Sequence, residues 1–166
     1  MKWIACGTMG LSTNKLLNNG GKNTCAPRIA MLNKVVLDTN CLIMALSRHS
    51  EYYPVWTGIQ TGTYILCVSN DILEEYHEII AQKTSEVVAD NVVRLLAECP
   101  FVEFIDPRYH LGLIQADPDD NKFVDCAFSA NATYIVSNDK HFDALKAIDF
   151  PKIQVIKLIE FLQTIK

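Results

Sequence analysis

The chain has 166 residues, enough for one domain, with 49% hydrophobic and 20% charged side chains, a composition that supports one sizeable core. The formal net charge of −4 excludes a nucleic-acid binder that relies on bulk positive charge. No apolar run approaches the ~18 residues of a membrane span, so no membrane partner is expected.

Residues 1–30 contain Lys2, Lys15, Lys22 and Arg28 and no acid, a charge of +4, and four of the seven glycines. Residues 31–166 carry −8. The segment shows neither helical nor strand periodicity, and Trp3-Ile4-Ala5-Cys6 is too short for a signal-peptide core. Gly20-Gly21-Lys22-Asn23-Thr24 has a Gly-Lys pair but lacks the upstream Gly, the strand and the helix of a phosphate loop. Residues 1–30 are expected to form a disordered extension, or to precede a start at Met31, and residues 31–166 to form the folded domain. The six cysteines are scattered without a CxxC pair, which disfavours zinc or a disulfide framework and fits reduced thiols in a cytoplasmic protein.

From Met31 onward, apolar runs alternate with helical patterns. Lys34–Asp38 reads as a buried strand ending in Asp-Thr-Asn, and a helix is expected from Cys41 to Ser47. Tyr64–Val68 is a second strand, closed by Ser69, a good helix N-cap. Helices follow over 71–82 and 87–99, then a strand over 101–105. Asp117-Pro118-Asp119-Asp120 is a polar turn opening a helix to about Asn131. Strands over 133–137 and 153–156 and a short helix over 158–165 complete the chain. Strands apolar on both faces, alternating with helices, call for a three-layer α/β/α sandwich around a mainly parallel five-stranded sheet. Ligands of such sheets bind beyond the carboxyl ends of the strands, and those ends carry acids, Asp38 and Asp139.

Helix geometry at 100° per residue sorts the other acids. In the helix after Ser69, Glu74 and Glu78 point away from the apolar face, whereas Glu75 sits between Ile72 and Ile79 and can reach inward. In the helix after the polar turn, Asp120 continues the buried stripe of Phe123, Val124, Ala127 and Ala130. Asp125 points the opposite way, and Asp119 lies at the stripe's edge. Each acid also has an ordinary explanation: Asp120 as a helix cap, Asp38 and Asp139 as Asx-turns. Four converging carboxylates would repel and raise one another's pKa, and a hard divalent cation, Mg²⁺ or Mn²⁺, is the natural remedy.

Val35-Val36-Leu37-Asp38-Thr39-Asn40, Ser69-Asn70-Asp71-Ile72-Leu73-Glu74-Glu75-Tyr76, Asp120-Asn121-Lys122-Phe123-Val124-Asp125-Cys126-Ala127 and Tyr134-Ile135-Val136-Ser137-Asn138-Asp139 together resemble the PIN-domain nucleases. The four pieces occur in that family's order over residues 34–160. The subgroup they are most similar to is that of bacterial toxin components of toxin–antitoxin pairs. Many members have Thr-Gly-Asp where this chain has Ser137-Asn138-Asp139; Asn tolerates tight turns.

The resemblance implies that Asp38, Glu75, Asp120 and Asp139 are the catalytic and metal-holding acids, with Glu74 as a neighbouring rival for the second position and Asp117 and Asp119 for the third. Asn40 and Ser137 would support them. It implies metal-dependent hydrolysis of single-stranded RNA to 5′-phosphate and 3′-hydroxyl ends, a cognate antitoxin that blocks the acidic cleft, and a homodimer. Lys122, Lys140, Lys146 and Arg48 are the basic residues able to line the approach of RNA, although each also reads as a solvated surface charge. His141 reads as a polar loop residue. A phosphatase with an Asp nucleophile would need a second Asp at position 40, where this chain has Asn. The alternative from a different class is a catalytically silent PIN-fold module that binds RNA or protein.

Overall fold

The computed structural model describes residues 32–166. The expectations for residues 1–30, and the boundary at Met31, lie outside the described residues. Five strands and six helices follow in order: β1 (Lys34–Leu37), α1 (Thr39–Leu46), α2 (Tyr53–Thr61), β2 (Ile65–Val68), α3 (Asn70–Lys83), α4 (Glu86–Glu98), β3 (Val102–Phe104), α5 (Asn121–Ala130), β4 (Tyr134–Val136), β5 (Val155–Ile156) and α6 (Leu158–Thr164). Two 3₁₀ segments, Pro118–Asp120 and Lys140–Ala147, precede α5 and follow β4.

The sheet order is β3-β2-β1-β4-β5, and every neighbouring pair is parallel. The expected sheet is therefore present and wholly parallel. Val35, Val36 and Leu37 of central β1 are inaccessible to solvent, the pattern of a strand covered on both faces. The chain leaves β1 toward β2 on one side and returns to β4 on the other. Right-handed crossovers place the intervening helices on opposite faces, and the order reverses between β1 and β4. A crevice opens at such a reversal, outside the carboxyl ends of the two strands.

The helices bury the stripes their spacing predicts. In α3 these are Ile72, Tyr76 and Ile80, and in α4 Ala89, Val92 and Leu96. Each fully buried Leu or Ile contributes about 1.5–3 kcal/mol relative to exposure. Ser69 caps α3 by accepting from Ile72 N–H, and Ser85 caps α4 by accepting from Val88 N–H. The Tyr76 hydroxyl, at the centre of the core, donates to the Leu37 carbonyl at 2.5 Å.

Several elements differ from expectation. Helix α2 is absent from the sequence reading, because Pro54 and Gly58 interrupt its pattern. Pro54 lies in its first turn, where no N–H is needed. Gly58 is buried against Tyr64, where a Cβ would come within 2.9 Å of the ring. Helix α1 starts at Thr39 rather than Cys41, because Asp38 caps it by accepting from Asn40 N–H. Strands β3 and β5 lie at the sheet edges and are shorter than expected. The segment around His141, read as a polar loop, is a 3₁₀ segment. Cys41, Cys67, Cys99 and Cys126 are free thiols, and burial pushes Cys41 and Cys67 up to about 12, so they pack as small hydrophobes.

Candidate metal centre

Asp38 stands at the carboxyl end of β1, 6% exposed, and its N–H donates to the Val136 carbonyl of β4 at 3.0 Å. One carboxylate oxygen accepts from Asn40 N–H at 3.4 Å and the other from the Ser137 hydroxyl at 2.9 Å. The Asx-turn and the crevice position coexist in the same side chain. Burial holds the Asp38 carboxyl above the usual range, the bonds from Ser137 and Asn40 oppose this, and the charges of Glu75 and Asp139 add to it.

Ser137 ties two acids together. Its hydroxyl donates to Asp38 and accepts from Asp139 N–H at 3.0 Å. Asp139 in turn caps the following 3₁₀ segment, accepting from His141 N–H at 2.9 Å. Asn40 meets Asp38 through its backbone, while its side chain is exposed and accepts from Lys83 Nζ at 3.1 Å.

Glu75 reaches inward from α3, as its helical position predicts. One of its oxygens accepts from Thr39 Oγ1 at 2.5 Å, and the other forms an ion pair with the Lys122 ammonium. Neighbouring Glu74 is exposed. Asp120 closes the 3₁₀ turn at the head of α5 and makes no side-chain cap bond. Its carboxyl is pushed up to about 6, first by burial, then by the charges of Asp117 and Asp38; contact with His141 opposes the rise and Asp139 adds to it. Asp119 is exposed. Asp38, Glu75, Asp120 and Asp139 thus face one crevice, close enough for their charges to act on one another.

Three further residues join them: Asp117, a sequence neighbour of Asp120, Lys122, one of the basic residues read as able to line the approach, and His141, read as a polar loop residue. His141 Nδ1 lies 3.4 Å from Asp120, 3.5 Å from Asp139 and 3.8 Å from Asp117. That nitrogen is buried without a hydrogen-bond partner. Asp117, Asp120 and His141 place one ligand atom each within 4.8 Å of the others. Lys122 is held inside the crevice by Glu75, rather than on the solvated face. The signal for His141 is its position two residues after a capping Asp, which turns its ring back toward the crevice. No local pattern relates Lys122 to Glu75, 47 residues earlier. Of the other basic candidates, Lys146 pairs with Asp143 at 2.6 Å, and Lys140 and Arg48 are exposed.

Asp125 does point away from the buried stripe, but the segment after β3 covers it. It is 4% exposed and accepts from Leu111 N–H at 2.9 Å and from His110 Nδ1 at 3.3 Å. Asn121 holds the same segment through Ile114, accepting from its N–H and donating to its carbonyl. These bonds form one wall of a cavity of about 580 Å³ beside the acids.

Comparison with solved structures finds the same fold. VapBC2 from Rickettsia felis, bound to a DNA fragment from their promoter, contains a chain 15% identical, with a TM-score of 0.53, over 75% of this chain and 98% of that one. DNA-bound VapBC from Salmonella typhimurium contains one 22% identical, with a TM-score of 0.53, over 77% and 99%. VapBC-1 from nontypeable Haemophilus influenzae contains one 16% identical, with a TM-score of 0.53, over 76% and 98%. Among curated proteins no match is found. A PIN domain is recognised directly in the sequence over residues 34–141, which include all four acids. The chain belongs to the PIN-domain family.

Proposed function

We propose that this chain is a metal-dependent endoribonuclease that hydrolyses phosphodiester bonds of single-stranded RNA, and that it is the toxin component of a toxin–antitoxin pair. The observation that carries the reading is the gathering of Asp38, Glu75, Asp120 and Asp139 at the reversal point of the sheet, with Asp38 buried at its centre. The fit to a divalent cation rests on three features. The acids supply only carboxylate oxygens, the ligands of Mg²⁺ and Mn²⁺. Burial, with the charges of neighbouring acids added to it, holds Asp38 and Asp120 above the usual carboxylate range. The side chains packed among them are a lysine and a histidine, whose buried Nδ1 lacks a hydrogen-bond partner.

Asp38, Glu75, Asp120 and Asp139 would hold one or two such ions. When bound, the metal would acidify water, polarise the phosphoryl group and offset charge on the leaving oxygen. Ser137 fixes the Asp38 carboxylate and the backbone of Asp139, and Thr39 fixes Glu75. Glu75 or Asp120 would position the attacking water; the charge of Glu75 acts on Asp38, and that of Asp38 on Asp120. The family supports hydrolysis of nucleic acid, and the likeness of fold to chains from VapBC structures supports a cognate antitoxin as partner. A homodimer and a cytoplasmic location belong to the same reading. No helix among the described residues is long and apolar enough to cross a membrane.

The test is incubation of the purified full chain with single-stranded RNA in Mn²⁺, in Mg²⁺ and in EDTA, beside Asp38→Asn. Cleavage that needs metal and vanishes in the variant supports the reading. A folded protein that neither cleaves RNA nor binds Mn²⁺ by calorimetry overturns it in favour of a silent binding module.

A further inference from the structure

We infer that Lys122 is a displaceable internal cation, which holds Glu75 in the metal-free protein and turns to the substrate phosphate when a metal takes Glu75. The inference rests on the metal-centre reading and adds a substrate-contacting residue to it. Both oxygens of Glu75 are engaged, one by Thr39 and one by the Lys122 ammonium. A metal can coordinate the Lys122-bound oxygen only by replacing that ammonium. A partly solvated ion pair contributes little to stability, so a doubly charged ion can displace it.

The released ammonium has somewhere to go. Lys122 lines the cavity of about 580 Å³ between the start of α3 and the segment after β3. The other lining group able to carry positive charge is His110, and its Nδ1 faces Asp125 at 3.3 Å. Asp71, Asp106, Asp119 and Asp125 also line the cavity. An RNA strand entering it meets four carboxylates, and Lys122 is the cation positioned to hold a phosphate there. The lysine stem is long enough for its head to change partners while its methylenes stay packed, and Nζ already lies 5.8 Å from the Phe123 ring centroid. Metal loading and RNA capture are thereby coupled through one side chain. The coupling gives an acidic site a way to hold a polyanion.

The experiment is calorimetry of Mn²⁺ binding to the full chain, to Lys122→Gln and to Lys122→Arg. It is paired with anisotropy of labelled single-stranded oligouridylate in EDTA and in Ca²⁺. Removing one positive charge from beside the site is expected to tighten Mn²⁺ binding roughly tenfold in Lys122→Gln. The same variant loses the gain in oligouridylate affinity that Ca²⁺ gives the wild type, and Lys122→Arg retains that gain. Unchanged or weaker Mn²⁺ binding in folded Lys122→Gln, with wild-type binding intact, overturns this inference and leaves the metal centre standing. Absence of Mn²⁺ binding in the wild type overturns both. If Lys122→Gln does not fold, the wild type decides: oligouridylate affinity that fails to rise with Ca²⁺ refutes the coupling.

Discussion

Asp120→Asn should stabilise the metal-free protein, and by an amount that depends on pH. Burial and the charges of Asp117, Asp38 and Asp139 raise the Asp120 carboxyl from 3.8 to about 6. The folded state therefore binds this proton more tightly than the unfolded chain. The sign follows: below about pH 4 the group is neutral in both states and costs nothing. As pH rises from about 4 to 6 the unfolded chain ionises first, and stability falls. Above about 6 the penalty is complete. The interval corresponds to about 3 kcal/mol at most. Asp120 keeps 19% side-chain exposure, and solvent at the crevice mouth screens part of the repulsion, so about 1–2 kcal/mol is expected.

For a domain of this size that is a rise of about 3–8 °C in Tm, measured by thermal unfolding in EDTA at pH 7.5. At pH 4.5 less than half of the gain should remain. Saturating Mn²⁺ should reverse the order of the two proteins, because binding stabilises the one that keeps the ligand. A variant less stable than wild type at pH 7.5 in EDTA would refute the reasoning, and so would a gain that does not change with pH. Either result would mean that Asp120 serves the helix start rather than crowding an acidic crevice.

Other perturbations separate scaffold from site. Tyr76→Phe removes the hydroxyl that donates to Leu37, the residue before Asp38, and should cost about 1–3 kcal/mol, read as a lower urea midpoint at unchanged m. Asp125→Ala strips the Leu111 N–H of its buried acceptor. It should cost about 1–3 kcal/mol and speed proteolytic cleavage within residues 106–114. Ser137→Ala frees both the Asp38 carboxylate and the Asp139 N–H; calorimetry should show Mn²⁺ affinity about 10- to 100-fold weaker, and unfolding a stability loss of about 1–3 kcal/mol.

The sheet and its flanking helices are legible in the sequence because burial leaves a periodic trace. β1 and β4 are apolar on both faces only in a sheet covered on both sides, and the stripe of α3 assigns Ile72, Tyr76 and Ile80 to the core. Helix α2 leaves no such trace. Pro54 and Gly58 look like breakers, yet one sits in the first turn and the other makes room for Tyr64, a contact set by tertiary packing. The edge strands were overextended for a related reason. Phe101, Ile105 and Ile153 flank β3 and β5 and are apolar like strand residues but lie outside the paired segments, and Phe104 remains half exposed.

The acids follow the same logic, and the cations do not. Asp38 and Asp139 follow strands, and Glu75 and Asp120 hold inward helical positions, so local geometry brings out all four as candidates. Lys122 enters through a partner distant in sequence, His141 reaches Asp117 and Asp120 as well as neighbouring Asp139, and Asp117 opens the 3₁₀ turn before α5. Their presence changes the electrostatic account. Among the described residues, Asp38, Glu75, Asp117, Asp120 and Asp139 set five carboxylates against the Lys122 ammonium and the titratable His141 ring. Burial, reinforced by that imbalance, leaves Asp120 elevated to about 6 even with His141 at 3.4 Å. A site built only for packing would not retain such repulsion at the reversal point of its sheet. The unrelieved charge is the physical argument that the crevice is shaped for a cation the chain does not itself supply.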